Sequence, residues 1–501
     1  MYGKKVLHLK LVLFLAFIAV FTCFSLAQTF EAVKSQVKVH TLKNGMKFIV
    51  LERHDAPVVS FHVYADVGSA NESYGITGIS HLLEHMAFKG SKIVGTTDYE
   101  AEIKVLNELD ALYDEIKKEK AKAKPDEAKL KEMKEQFETL RQKAKEYVIN
   151  NDYFDTMMRE GDQGVNAYTN YDATQYINSL PSNKLEFWMA MTSDRFLNPV
   201  FREFFKERDV VMEERRLGLE TRPMGRLIED FVATAFKAHP YHHEVIGHMS
   251  DLQNITRQDV EEYFRKYYGP SNLTVGIVGD VIPEEVFKMA ELYFERIPSE
   301  PKPEPIRTEE PEQWGERRVA VEAKSQPLII GGYHRPNARH QDDAALEALA
   351  NIIGQGRSSR LYQVLVKEKK VAIQVGCFNG FPGNKFANLI AFYAVPARDH
   401  TSAECLELID AEIAKIKEES VSAEELTKFK RNAEKDTLDQ MKSNGRMARL
   451  LTYTDVVLGD WKLTFDQVKD IRAITEEDVK RVANTYLIKK HRTIGEIVPE
   501  E

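Results

Sequence analysis

The segment Asp251–Asp280, DLQNITRQDVEEYFRKYYGPSNLTVGIVGD, can be laid without a gap on Asp470–Pro499, DIRAITEEDVKRVANTYLIKKHRTIGEIVP. Asp251/Asp470, Ile255/Ile474, Thr256/Thr475, Asp259/Asp478, Val260/Val479, Tyr267/Tyr486, Thr274/Thr493 and Gly276/Gly495 coincide. Each copy reads as a threonine N-cap with an acid three residues on, a helix, and then a β-branched strand. Two helix starts can align by chance, but a strand at the same offset points to duplication, and each copy closes a domain. A chain of 501 residues also exceeds what one hydrophobic core organises. Between the copies, PSEPKPEPIRTEEPEQWGE carries prolines at 298, 301, 303 and 305, which favour an extended, semi-rigid link. The expected division is a domain over 28–297, a linker over 298–315 and a second, homologous domain over 316–501.

Working outward, Lys4, Lys5 and Lys10 precede an uncharged apolar run, Leu11 to Phe24, and the small-residue site Ser25-Leu26-Ala27. This reads as a signal peptide over 1–27, cleaved before Gln28. The run is short for a bilayer span and no later segment comes closer, so an exported protein with no stable membrane span is expected. With 69 basic and 78 acidic residues, nucleic-acid binding is disfavoured. Beyond Cys23 only Cys377 and Cys405 remain, too few for a disulfide framework. Two strand signals come early: KVHTLKNGMKFIVLERH around the hairpin dipeptide Asn44-Gly45, then PVVSFHVYADVGSANE. Over 99–150 the composition turns to Lys, Glu, Ala and Leu, with apolar steps of three and four on either side of Pro125-Asp126. That pattern predicts a helical hairpin inserted in the first domain, its charged faces solvated.

The stretch GISHLLEHMAFKGS, 78–91, carries the chemistry. Residues four apart share a helix face, so His81 and His85 can aim at one point, with Glu84 beside them. Neutral imidazoles suit zinc, and a carboxylate next to a catalytic zinc can serve as general base. The order H-x-x-E-H is the inverse of the commoner zinc-protease motif. The bland alternative is a helix with two surface histidines. Two histidines leave a catalytic zinc one ligand short, and the acidic helix FREFFKERDVVMEERRLGLE offers Glu207, Glu213 and Glu214. Glu207 and Glu214 lie two turns apart and face one way, with Val210 and Val211 between them suited to burial. The histidines of HPYHHEVIGH, at 239, 242, 243 and 248, fall in a loop and lack helical spacing. They read as satisfied or solvated.

HLLEH, MAFKGS, GVNAYTNYDATQYINSLP, DRFLNPVF and ERDVVMEERR stand in the order found in the insulinase and pitrilysin family of inverted-motif zinc metallopeptidases, and nearly all of the mature chain resembles it, most closely the bacterial processing-peptidase-like branch. The resemblance implies two α+β domains, each a mostly antiparallel sheet with helices, forming a clam-like chamber across the linker. It implies one zinc per chain, with His81, His85 and Glu214 as ligands, Glu84 as catalytic base, Glu207 orienting a ligand, and Asn166 and Ala167 holding the substrate backbone. The implied activity is that of a secreted endopeptidase acting on peptides or unfolded segments in the periplasm or outside the cell. The alternative is a peptide-binding or assembly subunit with little turnover. The partners the resemblance implies are a peptide substrate and a second copy or a zinc-free homologous subunit. Two departures stand out. The interval from His85 to Glu214, 214 − 85 = 129 positions, exceeds the family's usual spacing by about what the hairpin adds. The Arg and Tyr that relatives use on the substrate carbonyl have no clear match near Tyr393 and Arg398, and Arg360 in GQGRSSRLYQVL reads as structural.

Overall fold

The computed structural model describes residues 30–500; the expected signal peptide, its cleavage point and Cys23 lie outside them. Eleven strands are named: β1 (Val37–Thr41), β2 (Lys47–Glu52), β3 (Val58–Ala65), β4 (Asn166–Thr169), β5 (Thr174–Pro181), β6 (Leu273–Gly279), β7 (Arg317–Ala323), β8 (Leu328–Arg335), β9 (Ala372–Phe381), β10 (Asn388–Pro396) and β11 (Arg492–Pro499). They form two sheets, one in the order β1-β2-β6-β3-β5-β4 and the other β7-β11-β8-β10-β9. Set aside β1 and the two orders are the same permutation. The only parallel pair falls at the same place in each, β2 with β6 and β7 with β11, the remaining pairs being antiparallel. The fold is therefore α+β and built of two homologous halves.

The repeated segments occupy equivalent places. Thr256 and Thr475 each cap a helix in a reciprocal box with Asp259 and Asp478, and the following strands are β6 and β11. The matched glycines have a packing cause. A Cβ on Gly276 would stand 2.7 Å from the carbonyl oxygen of Ala448, and one on Gly495 would press on Leu227 and Phe231 at 3.0–3.1 Å. Ala448 lies in the helix Asn444–Tyr453 of the second half, and Leu227 and Phe231 lie in the helix Pro223–Ala235 of the first. Each half thus sends a helix across to cover a face of the other half's sheet. Leu227, Phe231, Val232 and Ala235 are buried with Val321, Ile330, Leu389 and Ile497; Met447, Ala448 and Leu451 are buried with Ile49, Leu51 and Val278. At roughly 1.5–3 kcal/mol for each large side chain, this exchange outweighs the partly exposed Lys34–Asp466 and Lys47–Asp455 pairs, worth about 0–1 kcal/mol each. The extended segment 298–315 is consequently not a free hinge.

The β1–β2 pair is the expected hairpin, though its loop is longer than the two-residue turn that Asn-Gly favours. The buried Asn44 amide instead donates to the carbonyls of Phe294 and Ile297, tying the loop to a helix end. The inserted helices run over Tyr99–Lys120 and Glu127–Lys145, capped by Asp98 and Asp126. Their base joins the first core through Val105, Leu106 and Leu109, while Ile116, Leu130 and Met133 form a small core of their own farther out. Cys377 and Cys405 are buried and unpaired.

Candidate metal centre and active site

The HLLEH motif forms the short helix Ile79–Met86, which buries Ile79, Leu82, Leu83 and Met86 and leaves His81, Glu84 and His85 on a half-exposed face. Few residues make an isolated helix this short unstable, so its ends need outside support. Gly78, at φ +88°, starts it, and a Cβ there would collide with the carbonyl of Ile246. The buried carboxylate of Glu72 accepts the N–H groups of Gly78 and Ser80, both at 2.8 Å, and Asp251 accepts those of Gly75 and Thr77. Burial pushes the Glu72 carboxyl up, to about 8, against the two N–H donors, which favour its charged form. In either state Glu72→Ala strands two helix-end donors, and an unfolding midpoint in denaturant should report a loss of about 2–4 kcal/mol.

His81 and His85 stand with ring centroids 4.8 Å apart, nearly perpendicular. Across from them the helix Phe204–Arg215 delivers Glu214, whose carboxylate lies 3.8 Å from His81 Nε2 and 3.7 Å from His85 Nε2. Ligand atoms about 2.0–2.1 Å from a tetrahedral zinc are about 3.3 Å apart. The Glu214 approaches exceed this by about half an ångström, and all three donor atoms lie within 4.8 Å of one another, so the set fits zinc once the side chains draw together. Among the described residues, no other group of three His, Cys, Asp or Glu comes together in this way. Burial, helped by His85, pushes His81 down to about 4, which keeps it in the neutral, ligating form near pH 7. Burial would lower His85 too, but Glu207, Glu214 and Glu84 outweigh it and raise it.

Glu207 sits two turns before Glu214, 3.6 Å from His85 Nδ1, with its other oxygen 2.6 Å from Lys89. Burial alone would raise its carboxyl; His85 and Lys89 reverse this and hold it near 2. An anion so placed orients the imidazole whose Nε2 faces the centre. Glu207→Gln should weaken zinc binding about 10–100-fold, read by competition with a chromophoric chelator. Val211 beside it is buried, whereas Val210 is exposed at 38%.

Glu84 is half-buried. Burial raises its carboxyl, opposed by the hydroxyl of Thr169, which donates to Glu84 Oε2 at 2.6 Å. Thr169 ends β4, the outermost strand of the first sheet, and β4 also carries Asn166 and Ala167. Its inner edge pairs with β5 and its outer edge pairs with no named strand. Beside the centre lies a cavity of about 330 Å³ lined by Glu84, His85, Phe88, Lys89, Ile149 at the end of the inserted segment, and Phe154 of the following helix Asp152–Arg159.

The loop histidines have other work: His239 accepts from Tyr241 N–H, and His242 meets Tyr74 at 2.6 Å. Tyr393 lies on its own sheet, its hydroxyl accepting from Gln374, and Arg360 grips Glu425 with two nitrogens. Sequence reasoning passed over three residues that shape the centre. Lys89 sits in the MAFKGS motif itself, four after His85. Glu72 precedes the helix by too much for a capping pattern, and Thr169 reads as an ordinary strand residue.

Protein-family models match the chain twice, as Insulinase (Peptidase family M16) over residues 47–115 and as Peptidase M16 inactive domain over 254–433. The first match ends inside the inserted hairpin. The chain is 29% identical over 456 residues to the zinc protease PqqE of Helicobacter pylori, covering 89% of each. It is 22% identical over 451 residues to the uncharacterized zinc protease YmxG of Bacillus subtilis, covering 89% of this chain and 95% of the other. Among solved structures, a protease from Helicobacter pylori is similar with a TM-score of 0.77 at 27% identity, covering 92% of this chain and 99% of that one. The periplasmic protease PqqL from Escherichia coli shares the fold at a TM-score of 0.67 and 18% identity, over 92% of this chain and 47% of its own. Two sheets of one topology, the inverted motif and these relatives lead to one conclusion: the chain belongs to the insulinase family of peptidases, family M16.

Proposed function

We propose that this chain is an exported zinc-dependent endopeptidase cleaving peptides or unfolded protein segments. What carries the reading is the convergence of His81, His85 and Glu214, with Glu84 beside them, at the open edge of a sheet. One zinc per chain, held by those three side chains, would act as a Lewis acid toward the scissile carbonyl and lower the pKa of water. The remaining tasks belong to the chain. A peptide added as a strand along β4 is held through main-chain bonds at Asn166 and Ala167, which read no side chain and so tolerate many sequences. Glu84 takes a proton from the attacking water and passes it to the leaving amine.

Because the exchanged helices lock the two halves together, we assign the wall facing the centre to a second chain, another copy or a zinc-free homologous subunit. Tyr393 being committed to its own sheet, groups that steady the substrate carbonyl are expected from that chain. Export is supported by the charged-then-apolar N-terminus and by the E. coli relative, a periplasmic protease. Among the described residues no helix is long and apolar enough to cross a membrane.

The test is hydrolysis of an unfolded protein by the purified chain, alone and with a zinc-free homologue. Cleavage that a chelator stops and zinc restores supports the reading. Peptide binding without turnover in both preparations overturns it in favour of the binding subunit.

A further inference from the structure

Side chains of β4 alternate between the two faces of the sheet, as in any strand. On one face Thr169 reaches the HLLEH helix and donates to Glu84. On the other Tyr168 donates to Gln175 at 2.6 Å, and the Arg449 guanidinium of the exchanged helix lies 5.8 Å from its ring. One four-residue strand is thereby joined to the base on one side and to the second half on the other. Thr169 has one hydroxyl proton, and Glu84 at 2.6 Å takes it in preference to Thr174 at 3.3 Å. Thr174 satisfies its own hydroxyl on the carbonyl of Val67. The stronger bond of the Thr169 hydroxyl is therefore the one to Glu84, and its contact within the sheet is the longer one to Thr174.

We infer that Thr169 is a positioning residue that couples a peptide bound on β4 to the orientation of Glu84. The inference rests on the peptidase reading. A glutamate has three rotatable side-chain bonds, and a free carboxylate beside a divalent cation would swing in as a further ligand. The Thr169 hydroxyl holds one oxygen back. Since the same strand offers the open edge at Asn166 and Ala167, a peptide that orders β4 also fixes this hydroxyl, and through it the base.

Thr169→Val removes the hydroxyl at nearly constant shape and Thr169→Ser keeps it. Against an unfolded peptide, the valine variant should lose about ten- to a hundredfold in kcat, with KM unchanged within about twofold and zinc affinity equal to or above that of the parent. The serine variant should recover kcat to within about threefold of the parent. A second readout needs neither zinc nor turnover. Hydrogen exchange of the zinc-free protein with a fluorescein-labelled unfolded peptide should show protection spreading from β4 to the helix Ile79–Met86 in the parent. In Thr169→Val, where only the Thr169 N–H still acts on Glu84, that spread should be clearly reduced. Parental kcat in the valine variant, a serine variant no better than valine, or zinc and peptide affinity falling in step with kcat each overturns the inference. Equal hydrolysis by the parent and a Glu84→Gln variant would instead remove the peptidase reading beneath it.

Discussion

Glu84→Gln is expected to cut peptide hydrolysis by about 10²–10⁴-fold while the protein keeps one zinc per chain. The amide has nearly the shape of the carboxylate and can still accept from the Thr169 hydroxyl, so the helix and its surroundings need not move. It is also not among the three side chains that meet at the centre. What the substitution removes is the capacity to take a proton and return it. The measurement is a rate on a quenched unfolded peptide alongside metal content by elemental analysis. A variant that lost zinc together with activity would show Glu84 acting as a ligand, and a fully active one would remove it from the chemistry.

The second large effect is at Glu214. Its replacement by Ala should weaken zinc binding by more than about a hundredfold, beyond what loss of an orienting neighbour costs, and abolish hydrolysis at ordinary zinc concentrations. The Glu214 side chain is 44% exposed, with its carboxylate 3.7–3.8 Å from the two imidazoles. Nothing in the core depends on it, so the melting temperature of the zinc-free variant should match that of the zinc-free parent. Zinc should stabilise the parent alone, because a ligand bound only by the native state shifts unfolding by mass action. The equivalent change at Glu213, whose carboxylate is tied to Arg216 at 2.9 Å, should leave zinc affinity unchanged. The pair separates a ligand from an acid that shares its neighbourhood.

The contrast between Glu213 and Glu214 shows where local reading of the chain reaches its end. The spacing of His81 and His85 decides their common face, because a helix repeats every 3.6 residues whatever surrounds it. In the same way Thr256 with Asp259, and Thr475 with Asp478, cap their helices through bonds that span three residues. The two-half architecture was legible because duplication left matching residues at a constant offset. Only the tertiary packing, though, shows why Gly276 and Gly495 match: each makes room for a helix that belongs to the other half.

These short-range features are what the amino-acid sequence by itself determined: an inverted motif on a helix, two related halves, an inserted helical hairpin and three acids able to complete the metal set. The tertiary structure decided which acid meets the histidines, that Glu72 anchors the motif helix, that Thr169 reaches Glu84, and that the halves are locked by exchanged helices. The physical reason is distance along the chain. A hydrogen bond across one helical turn is set by backbone geometry, whereas the approach of residue 214 to residue 85, or of 448 to 276, is set by how sheets and helices fill a common core.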